Sequence, residues 1–266
     1  MPPSLLPLLF ACTPEPLPRP PDIVMVVIDT LRTDHLGSYG HSRPTTPEMD
    51  ALADRGLRFE RAYAHSGWTL PSMTSLLTGK LPHQHRVVRD SVDVTHFGRL
   101  PPEYETLAET LATGGYTTGA VVNNTFLAPE FGLHQGFDHY DYEGALNRGH
   151  RTAEDTVELA LSWLESQAGP TFLLVHFMEP HLDYDPPTRF RGSFTGTGTP
   201  PVEVPFGGWD QIGDWHQGQS EPPEATQEYV TALYDEEILA SDHALGQLVD
   251  GLESRNRWNQ TLLLLT

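Results

Sequence analysis

The sequence predicts an α/β domain built on a mostly parallel sheet between layers of helix. Three observations predict it. Apolar runs at 22–29, 171–178 and 261–266 are continuous and rich in Val, Ile, Leu and Phe rather than alternating. Such runs suit strands covered on both faces. Between them lie segments whose apolar residues recur at helical spacing. A length of 266 residues gives one such domain a sizeable core.

The elements follow in order. Residues 22–29 form a strand ending in Asp29. Open α/β sheets place ligands at the carboxyl ends of strands, so Asp29 is either a site acid or the start of a turn. Thr46 and Pro47 open a helix, with Thr46 suited to the N-cap, Pro47 to the first turn, and Met49, Leu52 and Ala53 on one face. Residues 57–64 alternate through Leu57, Phe59 and Ala62 and read as a short strand. A Gly-containing turn then delivers Thr69 to a short helix, where Pro71 suits the first turn, Leu76 and Leu77 bury the far end, and Gly79 ends it. An oxygen at that position either caps the helix or, facing free N–H groups and the positive dipole end, serves as a nucleophile or helps to bind an oxyanion.

His83 and His85 sit in a short polar segment that reads as a solvated turn. Residues 104–114 form an amphipathic helix through Leu107, Ala108 and Leu111, and 115–124 a strand that ends in Asn123 and Asn124. Residues 150–167 are helical, and Gly169-Pro170 breaks them before the strand at 171–178. The loop that follows carries His181, either a general acid or base near neutral pH or part of a rigid turn. Residues 191–223 are too long for an ordinary connection and read as an insertion or lid, in which Trp209 and Trp215 line a cleft or pin the loop. Residues 225–255 are helical, with Leu245, Leu248, Val249 and Leu252 as the apolar stripe. Asp235, Glu236, Glu237, Asp242 and Asp250 read as its solvated face. The run 261–266 reads as a buried strand, and an open sheet edge at 262–265 would be an aggregation hazard.

Composition narrows the function classes. A net charge of -20 argues against nucleic acid as a partner, since its phosphates would be repelled, and leaves any anionic substrate dependent on a metal or helix terminus for local positive charge. No apolar run approaches a membrane span. One cysteine, Cys12, allows no internal disulfide. Residues 4–12 are apolar and end in Leu-Phe-Ala-Cys, which resembles the lipobox of bacterial lipoproteins. On that reading 1–12 is a signal peptide whose Cys12 is acylated, 13–21 a Pro-rich tether and 22–266 the domain, attached to a membrane of the bacterial cell envelope, at the periplasm or surface. The n-region lacks Lys and Arg and Pro7 interrupts the apolar stretch, so an incidental cysteine is the other reading.

Residues 66–80 resemble the nucleophile motif of the sulfatase family, within the alkaline phosphatase superfamily. That motif runs Cys or Ser, any residue, Pro, Ser, Arg, then small residues and Leu-Leu-Thr-Gly. Thr69 stands at the Cys/Ser position, Pro71, Ser72 and 76–79 match, and Met73 replaces the Arg. Further segments resemble family motifs in the same order. Residues 29–40 look like the first metal segment, with Asp29 at the metal-binding Asp and Thr30 where many sulfatases have a second Asp. Residues 46–53 resemble the Thr-Pro-x-x-Asp-x-Leu-Ala helix, and 82–87 the Pro-His-x-His-Gly-Val segment with Arg86 for Gly. Residues 115–123 resemble the Gly-Tyr-x-Thr motif, and the active-site Lys falls on Asn123. Residues 179–187 resemble Asp-Pro-His-x-x-Tyr-x-Pro-Pro, with Glu179 for Asp and His181 at a substrate-contacting His.

The resemblance covers about 22–266 and implies an alkaline-phosphatase-like fold, C-terminally truncated, because the family's last strand runs on into Ser-Asp-His-Gly, which completes its metal site. It implies a small anionic ester of sulfate or phosphate as substrate and a divalent metal, calcium or else zinc, manganese or magnesium, held by Asp29 and Thr69. Thr69 is then the nucleophile, Asn123 a donor to an ester oxygen and His181 the acid for the leaving group. Threonine cannot give the formylglycine aldehyde that the family makes from Cys or Ser, and threonine nucleophiles occur among the superfamily's phosphodiesterases and phosphoethanolamine transferases. That leans the expectation toward phosphoryl esters. Without the second metal motif, metal binding is expected to be poor. The competing expectation is a catalytically inactive, truncated sulfatase-like lipoprotein or binding protein.

Overall fold

The computed structural model describes residues 19–90, 93, 96–143 and 151–266. Cys12, the 1–12 segment and most of the 13–21 tether lie outside the described residues, as does His150.

Five strands form one sheet: β1 (Asp22–Ile28), β2 (Thr117–Asn123), β3 (His139–Glu143), β4 (Thr171–Phe177) and β5 (Thr261–Leu265). Their order is β3-β2-β4-β1-β5, and every pairing is parallel, as the continuous apolar runs require. Alternation along each strand divides the core in two. Val24, Val26, Val121, Leu173 and Val175 face one layer, formed by α1 (Pro47–Arg55), α5 (Ala153–Glu165) and α7 (Glu224–Ser254). Met25, Val27, Ala120, Val122, Phe172 and Leu174 face the other, formed by α2 (Thr69–Thr78) and α4 (Leu107–Thr113), with α3 (Pro82–His85) against α2. In the 191–223 region a helix, α6 (Trp209–His216), forms, and Trp215 packs against Phe206 with ring centroids 5.7 Å apart.

Several local expectations are corrected. Residues 57–64 form no strand: among the described residues no strand pairs with them, and Leu57 and Phe59 are exposed. β3 forms at 139–143, where the sequence reading assigns no element; the alternation of Tyr140 and Tyr142 with polar neighbours is its signal. β5 is a half-buried edge, with Leu263 and Leu265 on the core and Leu262 and Leu264 exposed. In α2, Leu77 is buried but Leu76 is partly exposed. Trp68, not Thr69, occupies the N-cap of α2, and Thr69 is its first helical residue.

The largest correction concerns α7. Asp235, Glu236, Glu237 and Asp242 are buried, and Asp250 alone of the five is exposed. Each buried acid takes hydrogen bonds that distant backbone or cationic groups need. Asp242 accepts the Glu48 and Met49 N–H groups at 2.9 and 2.8 Å and so caps α1 from another helix. Thr46, at the α1 N-cap, makes no cap bond; its hydroxyl accepts from the Gly37 N–H and donates to Asp50. Glu237 accepts the Asp185 N–H at 2.6 Å.

Burial holds the Glu237 carboxyl well above the usual carboxylate range; the Asp185 N–H opposes this, and Glu179, Asp185 and Asp183 add repulsion. A carboxyl raised in the folded state contributes its stability at low pH and loses it as pH rises through the folded value. Glu237→Gln keeps the acceptor and removes the charge. Melting temperatures taken upward from pH 4.5 should therefore fall less steeply in the variant than in the unmutated protein.

Candidate active site

β2, β4 and β1 lie side by side at the centre of the sheet, and Val122, Leu174 and Val27 share the core beneath α2. Two residues further along each chain, the same face turns polar: Asn124, His176 and Asp29. The apolar alternation therefore ends in a cluster at the carboxyl ends of three neighbouring strands, under the start of α2.

Asp29 is the hub, its side chain 10% exposed. Its Oδ2 accepts the Thr69 hydroxyl at 3.1 Å and the Asn124 amide at 2.8 Å. His176 Nε2 stands 3.5 Å from that oxygen. Burial pushes the Asp29 carboxyl up, but the nearby His176 imidazole, the charge of His181 and the Thr69 hydroxyl together hold it below the usual value. Asn124 is fixed in orientation because its Oδ1 accepts the Phe126 N–H at 2.9 Å, which leaves Nδ2 facing Asp29 and 3.4 Å from Thr69 Oγ1. Thr30 follows Asp29 at φ 57, a left-handed conformation that a β-branched residue rarely adopts. Tyr234 pins that turn, donating its hydroxyl to the Thr30 carbonyl at 2.7 Å and accepting the Arg32 N–H at 2.9 Å.

The other sequence-predicted residues fall as follows. His181 lies in the loop after β4, near enough for its charge to act on Asp29, and its Nδ1 is 2.7 Å from the Leu182 carbonyl. That contact makes Nδ1 the donor and leaves Nε2 for other work. Asn123 is not in the cluster. It faces the opposite side of β2, where its amide donates to Thr156 and the His176 carbonyl and its oxygen accepts from Arg151. The strand's twofold alternation puts Asn124 in its place. Met73 is buried in the core under the sheet. His85 is buried too, its Nδ1 accepting the Val87 N–H and its Nε2 3.1 Å from Ser75 Oγ, so it braces α2. Sequence reasoning missed His176 and Asn124; the signal for His176 was a lone polar residue inside an otherwise apolar strand.

A divalent ion fits Asp29 and Thr69. The carboxyl is mostly buried and held below the usual carboxylate range, and among the described residues no Lys or Arg is paired with it. A second group, His35, His41 and Asp235, brings its ligand atoms within 4.8 Å of one another. There Arg43 already stands 2.7 Å from Asp235 and supplies the balancing charge, so the cluster reads as an ion-pair network that ties the 35–43 loop to α7.

The sequence profile of sulfatases matches residues 21–266. The chain belongs to the sulfatase family. It is 39% identical to arylsulfatase A of Bos taurus over 124 residues, which is 44% of this chain and 24% of the relative. It is 26% identical to the N-acetylglucosamine-6-O-sulfatase of Bacteroides thetaiotaomicron over 198 residues, 66% of this chain and 34% of the relative. In fold it is similar to the phosphonate monoester hydrolase of Agrobacterium radiobacter, with a TM-score of 0.72 at 20% identity, covering 92% of this chain and 62% of the other. The chain thus spans about a quarter to a third of the length of these sulfatase relatives.

Proposed function

We propose that this sulfatase-family chain serves metal-dependent hydrolysis or transfer at a sulfate or phosphate ester, with Thr69 as the nucleophile. The observation that carries the reading is the Thr69 hydroxyl donating to Asp29 at 3.1 Å, at the start of a helix and the carboxyl end of a central strand. The first-turn N–H groups of α2 and the positive end of its dipole favour a negative ester group beside Thr69. Asn124 offers a fixed N–H donor in the same place, the role the sequence suggested for Asn123. Asp29 and Thr69 would hold the divalent ion, which when bound lowers the pKa of the hydroxyl and neutralises ester charge.

In the transfer step Thr69 Oγ1 bonds to the sulfur or phosphorus, and the bond to the leaving oxygen breaks. The hydroxyl proton leaves to water, since Asp29, its present acceptor, is held below the usual carboxylate range and would be committed to the ion. His181, as imidazolium, gives the leaving oxygen its proton. Water then cleaves the covalent ester and restores Thr69. Thr69 cannot become formylglycine, and Met73 places a thioether in the core where the family motif has a cation. Both lean the reading toward phosphoryl substrates.

A panel of aryl sulfate, phosphomonoester and phosphodiester tests it. Turnover of a phosphoryl ester, lost on chelation and restored by a divalent ion, is expected. No turnover of any of the three in the presence of metal would favour the inactive, binding-protein reading. The apolar 4–12 segment ending at Cys12 supports attachment to the cell envelope. No helix among the described residues is long and apolar enough to cross a membrane.

A further inference from the structure

The inference here rests on the metal-dependent reading of Asp29 and deepens it. We propose that His176 is a nitrogen ligand of the same ion, and that the site therefore selects a nitrogen-accepting metal of the zinc class over calcium.

His176 is fully buried, and neither Nδ1 nor Nε2 has a hydrogen-bond partner. A buried imidazole with both nitrogens orphaned calls for a group that is not protein. The ring is aimed at the site: Nε2 faces Asp29 Oδ2 at 3.5 Å. That separation is long for an N–H···O bond. It is close to the roughly 3.4 Å between two ligands that each stand about 2.1 Å from one tetrahedral ion. The sheet fixes the arrangement, because His176 pairs in register with Val27, two residues before Asp29.

The remaining neighbours sharpen the choice of metal. Asn124 turns its NH₂ to the site, since its oxygen is held by Phe126 N–H, so it offers no ligand atom. Thr69 and Asp29 supply oxygen and His176 supplies nitrogen, while the Met178 thioether beside Asn124 accepts that amide's N–H at 3.7 Å. Calcium and magnesium prefer oxygen throughout, whereas imidazole suits zinc and its transition-metal neighbours.

The test measures zinc and calcium affinity of the purified, chelator-stripped protein by competition with a chromophoric chelator. His176→Gln, which keeps a polar side chain of similar reach, should weaken zinc binding by at least about 10-fold and leave calcium binding within about twofold. His181→Gln should leave both unchanged. Unaltered zinc affinity in His176→Gln, with affinity lost in Asp29→Asn, would overturn the His176 assignment while the metal-dependent reading stands. Retention of neither ion by the unmutated protein would overturn both. Should His176→Gln fail to fold, the copper(II) form of a His35→Gln, His41→Gln, His181→Gln variant gives the answer: imidazole nitrogen coupling in its electron paramagnetic resonance that disappears when Asp29→Asn is added supports His176 as ligand, and absence of such coupling refutes it.

Discussion

Thr69→Ala should lower ester turnover on the order of 10⁴-fold or more, since it removes the attacking oxygen itself. The fold should be little affected. Thr69 is the first residue of α2, a position where alanine is well tolerated, and its hydroxyl bonds only within the site, to Asp29 and Asn124. Steady-state turnover and a melting curve on the same preparation separate the two effects. Thr69→Ser keeps the oxygen and should retain much of the rate. Turnover of Thr69→Ala close to that of the unmutated protein, at an unchanged melting temperature, would remove Thr69 from the mechanism and leave it a helix-start residue.

Glu236→Ala should destabilise the fold by about 3 kcal/mol, since it removes one buried carboxylate that several donors share. Its Oε1 accepts from the N–H groups of Gly192, Phe194 and Thr195 and from the Thr195 hydroxyl, at 2.8 to 3.0 Å. The carboxylate is fully buried. Alanine would remove the acceptor of three half-buried backbone donors, and each donor left without a partner carries its own desolvation cost. Glu236→Gln keeps an acceptor oxygen and should lose much less. Chemical denaturation read by tryptophan fluorescence checks the order, and Glu236→Ala as stable as Glu236→Gln would show that the donors find other partners. Because Glu236 lies on the same helix as Tyr234, which pins the Thr30 turn beside Asp29, the loss should also lower activity.

The parts of this protein that sequence alone determined are those governed by local rules. Continuous Val, Ile, Leu and Phe runs gave β1 and β4 their place in a parallel sheet, helical spacing located α5 and α7, and Gly79 at φ 63 ended α2. Asp29 and Thr69 were legible because a carboxylate at a strand end and a hydroxyl at a helix start are marked by their neighbours in the chain. What only the tertiary structure decided depends on partners far away in sequence. Residues 57–64 alternate like a strand, yet among the described residues no strand pairs with them, and the Phe59 carbonyl takes its hydrogen bond from the Tyr39 hydroxyl. The acids of α7 look solvated in one dimension; they are buried because loops and helix ends about 40 to 200 residues away need acceptors. Asn124 and His176 joined Asp29 because three strands from distant parts of the chain lie side by side in one register. A one-residue step along β2 then chose Asn124 over Asn123, since successive side chains leave a strand on opposite faces.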